Sequence, residues 1–354
     1  MECLPEEEAA AFPVSSKGSI ARHLLDALVI DMGALQDTTF RGLDNDASVR
    51  PIVWRMLLGL LGTYPSDWPH DLELKRGSYE NLKSHYGVDD LHQWRHALGK
   101  DDETLVHDIE KVWHELFGIE LCQDVARTHV DLAFFAPHGL ASEWMVRVLF
   151  VFAKCHPDIG YCQGMHEVLA PLVYVFGTDE VKEWSNHAEA DSFGAFETLM
   201  QLLAPLHLMS KQDPTKTGAQ MQIVRLHKLL RQHDAGLWLH LNSLAVLPEY
   251  YSFRWYITLL SHEFTMDETL RIWDTLLADS KRFAFLHYVC CALIISHRDA
   301  LTNRRADFGV CLTILQSKPT VSVDDLLKSA EALREVDRRT DLATRSRQHQ
   351  ANPA

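Results

Sequence analysis

The sequence predicts an all-α fold, and three observations carry that expectation. Apolar residues recur at helical spacing through most of the chain, and two long segments are apolar nearly all round. No run alternates with period two for long enough to form a strand. No repeat period emerges, so a repeat array is not expected either.

Taken in order, residues 1–18 are acidic, then small and polar, and read as a mobile tail. After Ser19, the spacing of Ile20, Leu24, Leu25 and Leu28 suggests a short helix. Arg41-Gly42-Leu43 turns the chain, and Asp46 and Ser48 are candidate caps. The helix behind them carries Pro51 in its first turn, where a missing N–H is tolerated. Its apolar side holds Val53, Trp54, Leu57, Leu58 and Leu61. Asp67-Trp68-Pro69 leads a charged helix through Tyr79, Leu82 and Tyr86. A further helix from near Asp102 places Leu105, Ile109, Val112, Leu116 and Phe117 on one stripe before Gly118 interrupts it.

The segments Ser142–Cys155 and Val168–Phe176 are apolar nearly all round, as helices in the interior of a large bundle are. They are expected to pack together. The polar, acidic stretch 177–192 reads as a loop or short insertion, Phe193–Leu208 as a helix, and 210–218, with Asp213-Pro214, as a loop. Helices follow over Ile223–Leu230, Leu237–Leu244 and Phe253–Leu260. Thr265-Met-Asp-Glu268 has the form of a capping box, the cap being worth ~1 kcal/mol, ahead of an apolar face of Leu270, Trp273, Leu276 and Leu277. Phe283–Ile295 and Asp307–Leu315 are apolar helices, and Ser322–Val336 is a charged amphipathic one. The polar residues 338–354 read as unstructured.

Composition narrows the function. Of 354 residues, 47% are hydrophobic, which suits a sizeable core, and the net charge of −15 argues against a nucleic-acid binder. Seven cysteines without metal spacing fit a reducing compartment. The acidic amino terminus is unlike a signal peptide, and no apolar run approaches the ~20 residues of a membrane span. A cytoplasmic protein is expected. The 20 histidines do not make a metal site. His166-Glu167 and His262-Glu263 begin like H-E-x-x-H, but Ala170 and Met266 stand where the second histidine belongs. His227, His233 and His240 are too irregularly spaced to converge, and solvated or core roles explain them. No phosphate-cradling G-x-x-x-x-G-K-[ST] occurs, nor G-x-S-x-G or G-x-G-x-x-G. If the protein acts on a nucleotide, another protein brings it.

Two short pieces suit one kind of chemistry. Leu121-Cys-Gln-Asp124-Val-Ala-Arg127 has a helical context, so Asp124 and Arg127 lie at i,i+3 and can pair. Tyr161-Cys-Gln163-Gly164-Met165 follows a turn-rich connection, and Gly164 allows close backbone approach. Arginine neutralises charge on a transferring phosphoryl group, and glutamine can hold a water in line for attack. Alone, the first piece is an ordinary surface ion pair worth about 0.3–0.5 kcal/mol, and Gln163 a polar loop residue. Taken alone, neither piece favours catalysis, and Tyr161 reads as a residue that positions the turn.

These pieces resemble the two motifs, I-x-x-D-x-x-R and Y-x-Q-G, of the TBC-domain family of Rab GTPase-activating proteins, with Leu121 in place of Ile. Arg41-Gly-Leu43, Arg50 and Trp54 resemble the family's opening R-G-x-x…R-x-x-x-W. Phe253-Arg-Trp255 and Arg271-Ile-Trp273-Asp274 resemble its later W…F…L-R-I-W-D pattern. The resemblance spans residues 36–316. It implies a single large TBC-type helical domain, over 19–336, with two loosely defined lobes; the polar stretches put a possible boundary at 177–218, and polarity alone gives a mobile tail over 337–354. It further implies activation of GTP hydrolysis on a Rab-type small GTPase in its GTP form. Arg127 would be the arginine finger and Gln163 the glutamine finger, supported by Asp124, Tyr161 and Gly164. Arg50, Trp54, Trp255, Trp273 and Asp274 would be structural. The activator would need no cofactor of its own, GTP and Mg²⁺ arriving with the Rab, and would visit Rab-bearing membranes transiently. The one departure is His166, where many members have Asn. A rival reading is a helical scaffold that binds a GTPase or another partner without catalysis.

Overall fold

The structure is a computed structural model that describes residues 20–43, 48–88, 114, 117–136, 139–207, 218–281 and 283–351. Those residues form α-helices and short 3₁₀ turns with no strand, as the sequence predicts. The chain opens with α1 (Ile20–Leu25), α2 (Met32–Arg41), α3 (Val49–Leu57) and α4 (Trp68–Tyr86). The expected tail over 1–18, the Asp46 cap, the helix from Asp102 to Leu116 and the loop before Gly218 lie outside the described residues. Ser48 precedes α3 without a capping bond from its side chain, and its hydroxyl instead accepts a hydrogen bond from Arg22.

The central helices are α5 (Ile119–Ala126), α6 (Leu140–Cys155), α7 (Met165–Gly177), α8 (Lys182–Ser185) and α9 (Ala188–His207). The two helices that read as apolar all round, α6 and α7, pack on each other as expected. Val148, Leu149, Val168, Leu169, Leu172 and Val173 are fully enclosed. Helix α9 lies against α4, α6 and α7 and also against α10 (Gly218–His233) and α12 (Phe253–Ile257). The two halves of the chain therefore meet along a shared helix.

Residues 177–192, whose polarity suggests a loop, are helical at α8 and from Ala188 onward. Four of the polar side chains there, Asp179, Ser185, Asp191 and Ser192, face inward. Asp191 is buried and accepts from Arg55 Nε at 2.8 Å and from Arg76 Nε at 2.7 Å, while Asp179 takes Arg55 Nη1 at 2.8 Å. The Arg55 guanidinium also lies over the rings of Phe176 and Trp184. Glu189 accepts from Arg147 at 2.6 Å and from the Tyr79 hydroxyl at 2.7 Å. Removing one member of such a buried set costs about 3–5 kcal/mol, because its partners are left charged and dry.

The remaining helices are α11 (Ala235–Ser243), α13 (Met266–Ala278), α14 (Leu286–Ser296), α15 (Arg298–Leu301), α16 (Phe308–Gln316) and α17 (Val323–Ala351). Glu268 accepts the Thr265 N–H at 2.9 Å in the capping box that starts α13. Helix α17 corrects the expectation of an unstructured chain after 337, since it runs on without a break. Asp337 anchors that extension, accepting from Gln232 at 2.6 Å and Tyr288 at 3.1 Å. Glu335 then pairs with Arg338 and Arg339 one turn on, the spacing that favours continued helix.

His287 on α14 packs half-buried and edge-on against Tyr256, and its pKa is pushed down to about 4 by loss of solvent, with Arg225 adding to the shift. The folded value lies below the unfolded one, so the unfolded chain takes the proton first as pH falls. The contribution of His287 is fully present above about pH 6.5 and is lost on the way to about 4, an effect on the order of 3 kcal/mol. His287→Leu should therefore flatten the dependence of unfolding midpoint on pH across that window. An unchanged slope would assign the acid sensitivity to other groups.

Candidate functional site

Helix α5 starts at Gly118, whose φ of +90° turns the chain sharply, and ends at Arg127. Ending there puts Arg127 on the rim with 59% of its side chain exposed, while the Asp124 carboxylate, one turn back, is 9% exposed. Arg127 Nη2 donates to Asp124 Oδ1 at 2.5 Å. The other carboxylate oxygen, Oδ2, accepts the Tyr161 hydroxyl at 2.6 Å. Burial, together with the hydrogen bond to Asp124 and its charge, raises the Tyr161 pKa far above the ordinary phenol value, so its proton stays in place. Asp124 is thus held by both oxygens, and it holds one edge of an exposed guanidinium.

The packing of α6 on α7 sets Tyr161 and Gln163 on the turn between them, at one end of the core. Gln163 is exposed, and its side chain makes no hydrogen bond among the described residues. Gly164 is buried directly behind it at φ +104°. A Cβ there would be strained and would sit 3.4 Å from Ile257 Cδ1 and 3.6 Å from Thr258 Cγ2. Glycine lets the turn close against that wall while Gln163 faces out.

The wall itself is strained and braced. Leu259 and Leu260 are buried at φ +50° and +65°, a conformation costing on the order of 1–3 kcal/mol each. Trp273 Nε1 donates to the Leu259 carbonyl at 3.1 Å, and the Leu260 N–H bonds to the Trp255 carbonyl at 3.0 Å. Trp273 stacks on Trp54 with ring centroids 5.8 Å apart. Beside them, the fully buried Asp274 accepts from Arg50 Nη2 at 3.0 Å and Trp54 Nε1 at 2.9 Å. Arg50, Trp54, Trp255, Trp273 and Asp274 therefore form one continuous brace from α3 through α13 to the back of the Gly164 turn.

A group of histidines underlies the site; the sequence marks His166 and His262 as incomplete metal motifs and His166 as the departure from the family's Asn, and gives no sign of His129. His166, buried at the start of α7, has Nδ1 3.0 Å from the Tyr161 hydroxyl and 3.4 Å from Asp124 Oδ2. Its Nε2 is 3.7 Å from Glu167 Oε1. His262 Nδ1 meets the same oxygen at 2.9 Å, and His129 Nε2 stands 3.8 Å from Glu167 Oε2. Burial lowers the pKa of His166 and of His129 below the ordinary imidazole value. Burial works to raise that of Glu167, but the His262 hydrogen bond and the neighbouring imidazoles outweigh it, and the carboxyl is held low. No group of side chains with metal-ligand geometry occurs among the described residues. The signal for His166 was its place five residues after Tyr161 across Gly164, which folds its ring back onto the phenol.

An all-helical domain whose distinctive polar groups are an oriented guanidinium and a nearby amide, both on the rim, is built to address something outside itself. The chain belongs to the Rab-GTPase-TBC domain family, whose model matches residues 47–302. TBC1 domain family member 13 of Mus musculus is 28% identical over 85% of this chain and 93% of its own length. The Schizosaccharomyces pombe GTPase-activating protein gyp1 is 27% identical over 84% of this chain and 56% of its own. The crystal structure of the Ypt/Rab-GAP domain of Gyp1p superposes with a TM-score of 0.71 at 24% identity, covering 89% of this chain and 96% of that one. No helix among the described residues is long and apolar enough to cross a membrane.

Proposed function

We propose that this chain is a GTPase-activating protein for a Rab-type small GTPase, and that it works by presenting Arg127 and Gln163 to the nucleotide held by its partner. The observation that carries this reading is the exposed Arg127 guanidinium gripped along one edge by a buried, doubly bonded Asp124. Membership of the Rab-GTPase-TBC domain family supports it, as does likeness to gyp1, a GTPase-activating protein.

In this reading Arg127 enters the active site of the GTP-loaded Rab and offsets charge building between the β- and γ-phosphates. Gln163 holds the attacking water in line, and both act by positioning and electrostatics, the usual means of catalysing phosphoryl transfer. Asp124 and Tyr161 fix the rotamer of Arg127 in advance. Gly164 seats the turn and brings backbone near the partner's switch region. GTP and Mg²⁺ belong to the Rab. The protein works in the cytoplasm and visits membranes that carry its partner.

The test is single-turnover GTP hydrolysis by a panel of purified, GTP-loaded Rabs with and without this protein. Stimulation of at least one Rab by about 10³-fold or more is expected for a trans-acting arginine. Binding of a GTP-loaded Rab with no change in its hydrolysis rate across the panel would replace this reading with the non-catalytic scaffold.

A further inference from the structure

We infer that His166 is a positioning residue for Arg127, acting through the Tyr161 hydroxyl with the proton on its Nδ1. This rests on the finger role proposed for Arg127 and extends its support one residue deeper into the fold, past Asp124 and Tyr161.

The argument is a proton count. The Tyr161 phenol has one proton to give and two neighbours able to take it, Asp124 Oδ2 at 2.6 Å and His166 Nδ1 at 3.0 Å. If Nδ1 were bare, it would compete with the carboxylate for that proton. Each time it won, Asp124 would lose one of the two bonds that orient it. If Nδ1 carries hydrogen, it donates to the phenol oxygen, and the phenol proton can go only to Asp124. The short oxygen–oxygen distance and the charge of the carboxylate favour that second arrangement. Nδ1–H also lies 3.4 Å from Asp124 Oδ2, so it adds a second favourable dipole toward the same oxygen. On the far side, Nε2 is 3.7 Å from Glu167 Oε1, too distant to claim the ring's proton through a hydrogen bond. Burial keeps the ring neutral near pH 7, so it has a single N–H to place. The donors then converge on Asp124: His166 Nδ1–H donates to Tyr161, Tyr161 O–H donates to Asp124 Oδ2, and Arg127 Nη2 donates to Asp124 Oδ1. Both carboxylate oxygens are taken, one by the phenol and one by the exposed guanidinium.

Asparagine and glutamine separate the two ring nitrogens, because the Asn amide nitrogen sits where Nδ1 does and the Gln amide nitrogen where Nε2 does. The experiment is stimulated hydrolysis on a responsive GTP-loaded Rab for the wild-type protein, His166→Asn, His166→Gln and Arg127→Ala, with thermal melting of each. H166N should keep turnover within about twofold of wild type. H166Q should lower kcat by about 10- to 100-fold with little change in KM, as expected for lost pre-organisation. A wild-type kcat in H166Q, or an equal loss in H166N and H166Q, overturns the inference. Tyr161→Phe supplies the second arm. It should lower kcat by itself, and adding H166Q to it should cost nothing further, because the relay is already cut. A wild-type kcat in Tyr161→Phe overturns the inference even if H166Q does not fold. Full stimulation by Arg127→Ala would instead mark failure of the finger role on which the relay depends.

Discussion

Replacing Arg127 with lysine is expected to abolish stimulated GTP hydrolysis almost as fully as replacing it with alanine. The loss should approach the ~10³–10⁵ in rate that a trans-supplied arginine contributes. A lysine keeps the charge, so the expectation turns on shape. Asp124 Oδ1 already takes one Nη2 hydrogen at 2.5 Å, and a planar guanidinium has further donors fixed in a fork to offer phosphate oxygens at the same time. An ammonium gripped by Asp124 has no rigid second edge. The fold should be indifferent to the change, since the side chain is mostly in solvent and the pair is an i,i+3 contact at a helix end. Helical circular dichroism and melting should match wild type in both variants. Activity retained by the lysine variant with an unchanged spectrum would remove Arg127 as the finger. Asp124→Ala gives the graded case, in which the charge remains and the orientation is lost, so single-turnover rate should fall more than Rab affinity.

Much of this arrangement was legible in the sequence because its signals are local. The pairing of Asp124 with Arg127 follows from three-residue spacing in a helix, and Gly164 announces a turn that must close tightly. The burial of α6 and α7 follows from their being apolar nearly all round, and that burial places Gln163 at a bundle end. Of the brace, Trp54, Trp255 and Trp273 read as core residues, while Arg50 and Asp274 stood out only through the resemblance to the family's motifs.

What could not be read are contacts between polar residues distant in the chain. Asp191 is separated from Arg55 by 136 positions, and nothing local distinguishes a buried, paired carboxylate from a solvated one. Residues 177–192 therefore look like a loop until both partners are seen. Asp337 is a similar case, since Gln232 and Tyr288, which donate to its carboxylate and tie the helix down past 336, lie far away in the chain. The positive φ of Leu259 and Leu260 has no sequence signal at all. Leucine disfavours that conformation, and it persists where Trp273 and Trp255 take up the backbone groups on either side. His166 falls between these classes, because its residue type was visible and its partner was only five residues away. Its meaning depended on the two carboxylates, Asp124 and Glu167, that the fold sets on either side of the ring.

A Rab whose own switch glutamine has been replaced by alanine or leucine should still be strongly stimulated by this protein. Two groups are needed to speed the hydrolysis, one to offset phosphate charge and one to hold the water. If Arg127 and Gln163 supply both, the partner's glutamine is dispensable. Gln163 suits the second task because it is exposed, its amide is not bound to another side chain among the described residues, and the backbone behind it is pinned at Gly164 against Ile257 and Thr258. Gln163→Ala should then remove most of the stimulation of the glutamine-less Rab, because no side chain is left to order the water. It should have a smaller effect on the wild-type Rab, which retains a glutamine of its own. The measurement is single-turnover hydrolysis for the four combinations of wild-type and Gln163→Ala protein with wild-type and glutamine-less Rab. Under the two-finger reading the two losses are strongly non-additive, and the doubly altered pair falls to about the intrinsic rate. If the glutamine-less Rab is not stimulated even by the wild-type protein, the water is held by the partner. Arg127 then remains a finger on its own evidence, and Gln163 becomes a contact of the docking surface.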